Sequence, residues 1–135
     1  MKPKINVISL PVSDLEKSLT FYRDGLGLPT PGINEGIIAI ELDGGLSLFL
    51  IERNQFASFS TLAQAEPHIS HSSVECILSC AVDSKEEVDT ILEGALSTGG
   101  SIPSPAKEEA WGYTGYFKDP DGHLWEIVCP KNRAD

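Results

Sequence analysis

The chain has 135 residues, 41% hydrophobic and 22% charged, and ten Lys+Arg against twenty Asp+Glu give a net charge of -10. That length and balance fit one globular domain with a core of its own and exclude a disordered or fibrous chain. No basic stripe is present to neutralise phosphates, and an anionic lipid surface would repel the acidic chain, so neither nucleic acid nor membrane is an expected partner.

Residues 5–12 alternate as a strand and stop at Ser13-Asp14, either of which can cap a helix with apolar positions Leu15, Leu19 and Phe21-Tyr22. Gly25-Leu26-Gly27 ends that helix. Residues 36–42 and 46–51 read as strands joined by Asp43-Gly44-Gly45, a hairpin signature. Residues 54–73 are polar and Ser-rich, with helix-like pieces but no strong period, and read as a connector, with His68 and His71 as solvated loop residues. A strand over 74–82 follows, and Asp83-Ser84 caps a helix over about 85–96 whose apolar face is Val88, Ile91, Leu92 and Leu96. Gly99-Gly100 ends it. A proline-weakened strand near 101–105 precedes better ones at 112–117 and 124–129, joined by the turn Asp119-Pro120-Asp121-Gly122.

The order is therefore βαβββ, connector, βαβββ. Module one covers about 4–53, the connector 54–73 and module two about 74–131, all within a single domain over 1–135. The halves align on Val12-Ser13-Asp14 with Val82-Asp83-Ser84 and on Gly45 with Gly122, which marks an internal duplication. The expected class is α+β, two βαβββ modules forming a curved mixed sheet with helices on the outer face and the other face free for a ligand.

The most apolar stretch, 36–51, is broken by Glu41 and Asp43, short of the about 20 apolar residues of a spanning helix. The N-terminal residues lack the apolar segment and cleavage site of a signal peptide. Cys76, Cys80 and Cys129 are an odd number without metal-type spacing. Cys76 and Cys80, four apart on a strand, stand ~13 Å apart, too far for a disulfide. A reduced, cytoplasmic protein is expected, with Cys76 and Cys80 as small core residues.

Two segments carry a family resemblance. Leu10-Pro11-Val12-Ser13-Asp14-Leu15-Glu16-Lys17-Ser18 with Phe21-Tyr22, and Gly115-Tyr116-Phe117-Lys118-Asp119-Pro120-Asp121-Gly122-His123-Leu124-Trp125-Glu126-Ile127-Val128, resemble the vicinal oxygen chelate superfamily. That superfamily holds glyoxalase I, bleomycin-resistance proteins, fosfomycin-resistance enzymes and extradiol dioxygenases. Val82-Asp83-Ser84-Lys85-Glu86-Glu87-Val88-Asp89 with Trp111-Gly112 is further similar to a bacterial glyoxalase-like branch. The resemblance implies paired βαβββ modules, a U-shaped sheet and a homodimer. It fixes the fold better than the function.

Metal-dependent members bind a divalent cation through His, Glu or Gln on the first and last strand of each module. Carried over, those positions are Val7, Phe49, Ile77 and Glu126, of which only Glu126 can ligate. No metal or other cofactor is therefore expected, a divalent ion being the alternative. Strand alternation from these positions turns Val7, Ser9, Ser47, Phe49, Ile77, Ser79 and Glu126 to the ligand face and Cys76, Leu78, Cys80 and Val82 to the helices. Trp111, Tyr113 and Tyr116 would add an aromatic wall. The mix suits a small, largely apolar molecule with one or two polar anchors. The first functional reading is a metal-free binding protein of the bleomycin-resistance type. The alternatives are a metal-dependent glyoxalase-like lyase, isomerase or dioxygenase, and a metal-free enzyme with Glu126 as its catalytic acid/base.

Overall fold

Each half of the sequence forms its own four-stranded mixed sheet in the computed structural model, which describes residues 2–65 and 74–132. The two halves are compact units, Met1–Ile69 and Ser70–Asp135. His68 and His71, read above as loop residues, lie outside the described residues.

The first unit runs β1 (Val7–Val12), α1 (Leu15–Leu19), β2 (Ile33–Asn34), β3 (Ile37–Glu41), β4 (Ser47–Glu52) and α2 (Arg53–Leu62). Its strand order is β1-β4-β3-β2, with β1 parallel to β4 and the other pairs antiparallel. Period-two alternation buries Ile38, Ile40, Leu48 and Leu50 completely on one face. Asp14 is the residue that caps α1, its carboxylate accepting from Lys17 N at 3.1 Å. The helix then widens into a π-helical turn over Thr20–Gly25, which brings adjacent Phe21 and Tyr22 both into the core, rings edge to face at 4.9 Å.

Half of the expected connector is helix. The Glu52 carboxylate at the end of β4 accepts from Asn54 N at 2.9 Å and Gln55 N at 3.1 Å, starting α2, which packs on β1 and β4. The polar composition of residues 53–62 hides this helix, because its start signal is a glutamate counted with the preceding strand.

The second unit repeats the plan: β5 (Ile77–Ala81), α3 (Lys85–Ser97), β6 (Lys107–Glu109), β7 (Gly112–Lys118) and β8 (Leu124–Pro130), in the order β5-β8-β7-β6. Ser84 caps α3, its Oγ accepting from Glu87 N at 3.2 Å. Val88, Leu92 and Ala95, at i, i+4 and i+7, are buried, whereas Leu96 has rotated off that stripe and is 59% exposed. The weak strand expected near 101–105 is reduced to a single bridge between Ser101 and Lys118, and the third strand forms later, at β6.

Helix α3 lies over β7 and β8. Gly115 makes that approach possible: a Cβ there would meet Leu92 Cδ1 at 2.6 Å and Val88 Cγ1 at 3.2 Å. Phe117, Trp125, Ile127 and Cys129 fill the rest of this interface, the rings of Phe117 and Trp125 stacked at 5.8 Å. Strand β5 ends the sheet instead, so the expected burial of its helix-side residues does not occur. Cys76 and Cys80 are exposed, and Leu78 and Val82 are only half-buried.

The β7–β8 turn explains the Asp-Pro-Asp-Gly-His motif structurally. Buried Asp119 accepts through Oδ1 from Asp121 N at 2.9 Å and His123 N at 2.8 Å, and its own N–H donates to the His123 carbonyl at 3.0 Å. Among the described residues no helix is long and apolar enough to cross a membrane.

Candidate functional site

The hairpin turn sets the register of the strand that carries Glu126. With Lys118 paired to Leu124, Tyr116 falls opposite Glu126 on β7, and the parallel ladder places Ser79 of β5 on the other side. Glu126 is thus flanked on its own sheet face by two hydroxyls. Ser79 Oγ donates to Oε1 at 2.9 Å and Tyr116 Oη donates to Oε2 at 2.9 Å. The hydrogen bond to Glu126 foremost, then burial and the charges of Glu126 and Glu109, raise the Tyr116 hydroxyl above the ordinary phenolic pKa.

The remaining residues singled out in the second unit are less closely gathered. Ile77 lies two residues before Ser79, opposite Leu124, and is 53% exposed. Trp111, also 53% exposed, stands in the turn between β6 and β7, and at the rise of a strand is about 17 Å along from Tyr116. Tyr113 does not belong to the Glu126 face. It points to α3, where its hydroxyl donates to Asp89 Oδ1 at 2.7 Å and Lys85 Nζ lies 5.9 Å from its ring centroid. Lys85 also pairs with Glu108 of β6, so this aromatic clamps the helix to the sheet.

In the first unit Val7 pairs with Ser47 and Ser9 with Phe49, so the four residues singled out there are contiguous on β1 and β4. Ala39 of β3 flanks Phe49 on the other side. Ser9, Phe49 and Ala39 hold the ladder positions that Ser79, Glu126 and Tyr116 hold in the second unit. The duplication is kept in the backbone and broken in the chemistry: only the second unit has a carboxylate and a phenol at the trio. From sequence, a neighbouring Tyr hydroxyl or water is the expected partner of Glu126; the register makes it Tyr116, and the second partner, Ser79, is the one that sequence reasoning does not name. The signal for Tyr116 lay in the turn, since closing a hairpin at Asp119–His123 dictates that pairing.

The divalent ion that the resemblance implies would need several His, Glu or Gln donors. Among the described residues no three His, Cys, Asp or Glu side chains are grouped to hold one. Val7, Phe49 and Ile77 offer no lone pair, and one carboxylate with two neutral hydroxyls does not fit a catalytic zinc, nickel or iron site.

Comparison with known proteins agrees with this architecture. A glyoxalase-related enzyme from Fulvimarina pelagi is 29% identical, with 93% of this chain and 87% of that chain covered at a TM-score of 0.80. The hypothetical protein SA1046 of S. aureus is 27% identical, with 96% and 94% covered at a TM-score of 0.78. TnmS3, an antibiotic binding protein from Streptomyces sp. CB03234, shares the fold at 24% identity, with 96% and 97% covered and a TM-score of 0.64. Residues 4–127 match the family model itself. The chain is therefore a member of the Glyoxalase/Bleomycin resistance protein/Dioxygenase superfamily.

Proposed function

We propose that this protein binds a small, largely apolar molecule at the Glu126 face, without a resident metal ion. The observation that carries the reading is the engagement of Glu126 by Ser79 and Tyr116, a carboxylate seated as a hydrogen-bonding anchor among Ile77, Leu124 and Val128. TnmS3, an antibiotic binding protein, gives a precedent for small-molecule binding on this fold. A homodimer belongs to the same proposal. Strands β1 and β5 are each the end strand of their own sheet, with Val7 and Ile77 exposed, and an end strand is a surface on which a second copy can pair.

The test combines elemental analysis of protein purified without chelator with a thermal-shift screen of apolar and aromatic small molecules. The expected outcome is sub-stoichiometric divalent metal and at least one compound that raises the melting temperature of wild type more than that of Glu126→Gln. One tightly bound divalent ion per chain would overturn the metal-free reading. Turnover lost in Glu126→Gln with binding retained would replace sequestration by acid/base chemistry at that carboxylate.

A further inference from the structure

We infer that the molecule held at this face presents a protonated nitrogen to Glu126, so that the ligand class is an apolar or aromatic body bearing an ammonium or amidinium group. This rests on the small-molecule reading just proposed and adds the chemistry of the anchor. A carboxylate only accepts hydrogen bonds, and a hydroxyl has a single proton to give. Ser79 and Tyr116 both spend that proton on Glu126. Thr114, the next residue on the same face of β7, spends its own on the Gly112 carbonyl at 3.2 Å. Toward a ligand these side chains therefore offer lone pairs and no donor. An anion or a bare carbonyl finds no donor among these side chains, whereas a cationic N–H group can reach the carboxylate and the hydroxyl oxygens beside it.

Charge points the same way. The Tyr116 hydroxyl feels the negative charge of Glu109 as well as that of Glu126. Lys118 is the cation on this face of β7, opposite Leu124 and about 7 Å along the strand from Tyr116, where it can meet a polar tail without occupying the Glu126 anchor. A charge-assisted hydrogen bond is roughly twice as strong as a neutral one, which favours an ammonium over a hydroxyl of the same shape.

Three matched probes test this on the full chain by calorimetry: naphthylmethylammonium, naphthalenemethanol and naphthoate. The ammonium is expected to bind about tenfold tighter than the alcohol, with naphthoate weakest, and the preference to shrink as salt is raised. Glu126→Gln should bring the ammonium to the affinity of the alcohol. Glu86→Gln, the same charge change on the exposed face of α3, should leave it unchanged. Tyr116→Phe, which keeps the carboxylate, should weaken the ammonium less than Glu126→Gln does. Naphthoate binding as tightly as the ammonium, or an unaltered ammonium affinity in a Glu126→Gln protein that melts like wild type, would overturn the cationic anchor and leave the apolar-molecule reading standing. Failure of all three probes to bind would overturn both.

Discussion

Tyr116 couples the candidate site to pH. Its raised pKa means that folding favours the neutral phenol, so its contribution to stability is complete below the unfolded value, about 10, and is lost as pH rises through the folded value. Alkaline titration followed by tyrosinate absorbance should show Tyr116 ionising late. Glu126→Gln should move the Tyr116 part of that transition to lower pH and Tyr116→Phe should remove it, leaving the late ionisation of Tyr113, which its hydrogen bond to Asp89 also raises. Ser18 makes a separate case. It is wholly buried on α1, and its hydroxyl has no hydrogen-bond partner among the described residues. Ser18→Ala removes an unpaired polar atom and improves helix propensity, so chemical denaturation should show a gain of about 1 kcal/mol.

At the scale of elements, the close seating of α3 on β7 depends on a residue with no side chain. Gly115→Ala would push a methyl group into Leu92 and Val88, and the overpacking should cost about 1–3 kcal/mol in denaturant unfolding. Leu92→Ala in the same background should recover part of the loss, since it clears the atom in conflict. This scale also shows what was legible in the chain. Most of each βαβββ run is readable because its signals are local: alternation in β3, β4, β7 and β8, caps at Asp14 and Ser84, and the Asp119 turn; the short edge strands β2 and β6 are not. Helix α2 was not, because its polar sequence has a weak period and its cap is a strand-end glutamate. The exposure of Cys76 and Cys80 was not readable either. Alternation tells which residues share a face, but only the packing of α3 on β7 and β8 decides which strand that face covers. The Ser79–Glu126–Tyr116 trio is half legible: parity puts Ser79 and Glu126 on one side, Tyr116 is named only as part of an aromatic wall with Trp111 and Tyr113, and the register that bonds it to Glu126 is fixed by the Asp119 turn.

At the scale of the molecule, the proposed homodimer has a direct check. Size-exclusion chromatography with light scattering should give twice the mass of the chain at high concentration, and a monomer at every concentration would reject it. The family membership fixes what each unit is built from, and the unequal trios mark the second unit as the seat of the polar chemistry.

Among the described residues of its own unit, strand β5 pairs only with β8 and has most of its side chains exposed, while β7 and β8 are locked under α3. Its amides should therefore exchange with solvent deuterium faster than those of β7 and β8. In the proposed homodimer a second copy would cover that edge, and their protection should then rise with protein concentration. Ser79 rides on β5, and it is one of the two hydroxyls that hold Glu126 in place. Ligand affinity inherits the same dependence: a dilute sample, with β5 opening more often, should bind more weakly than a concentrated one.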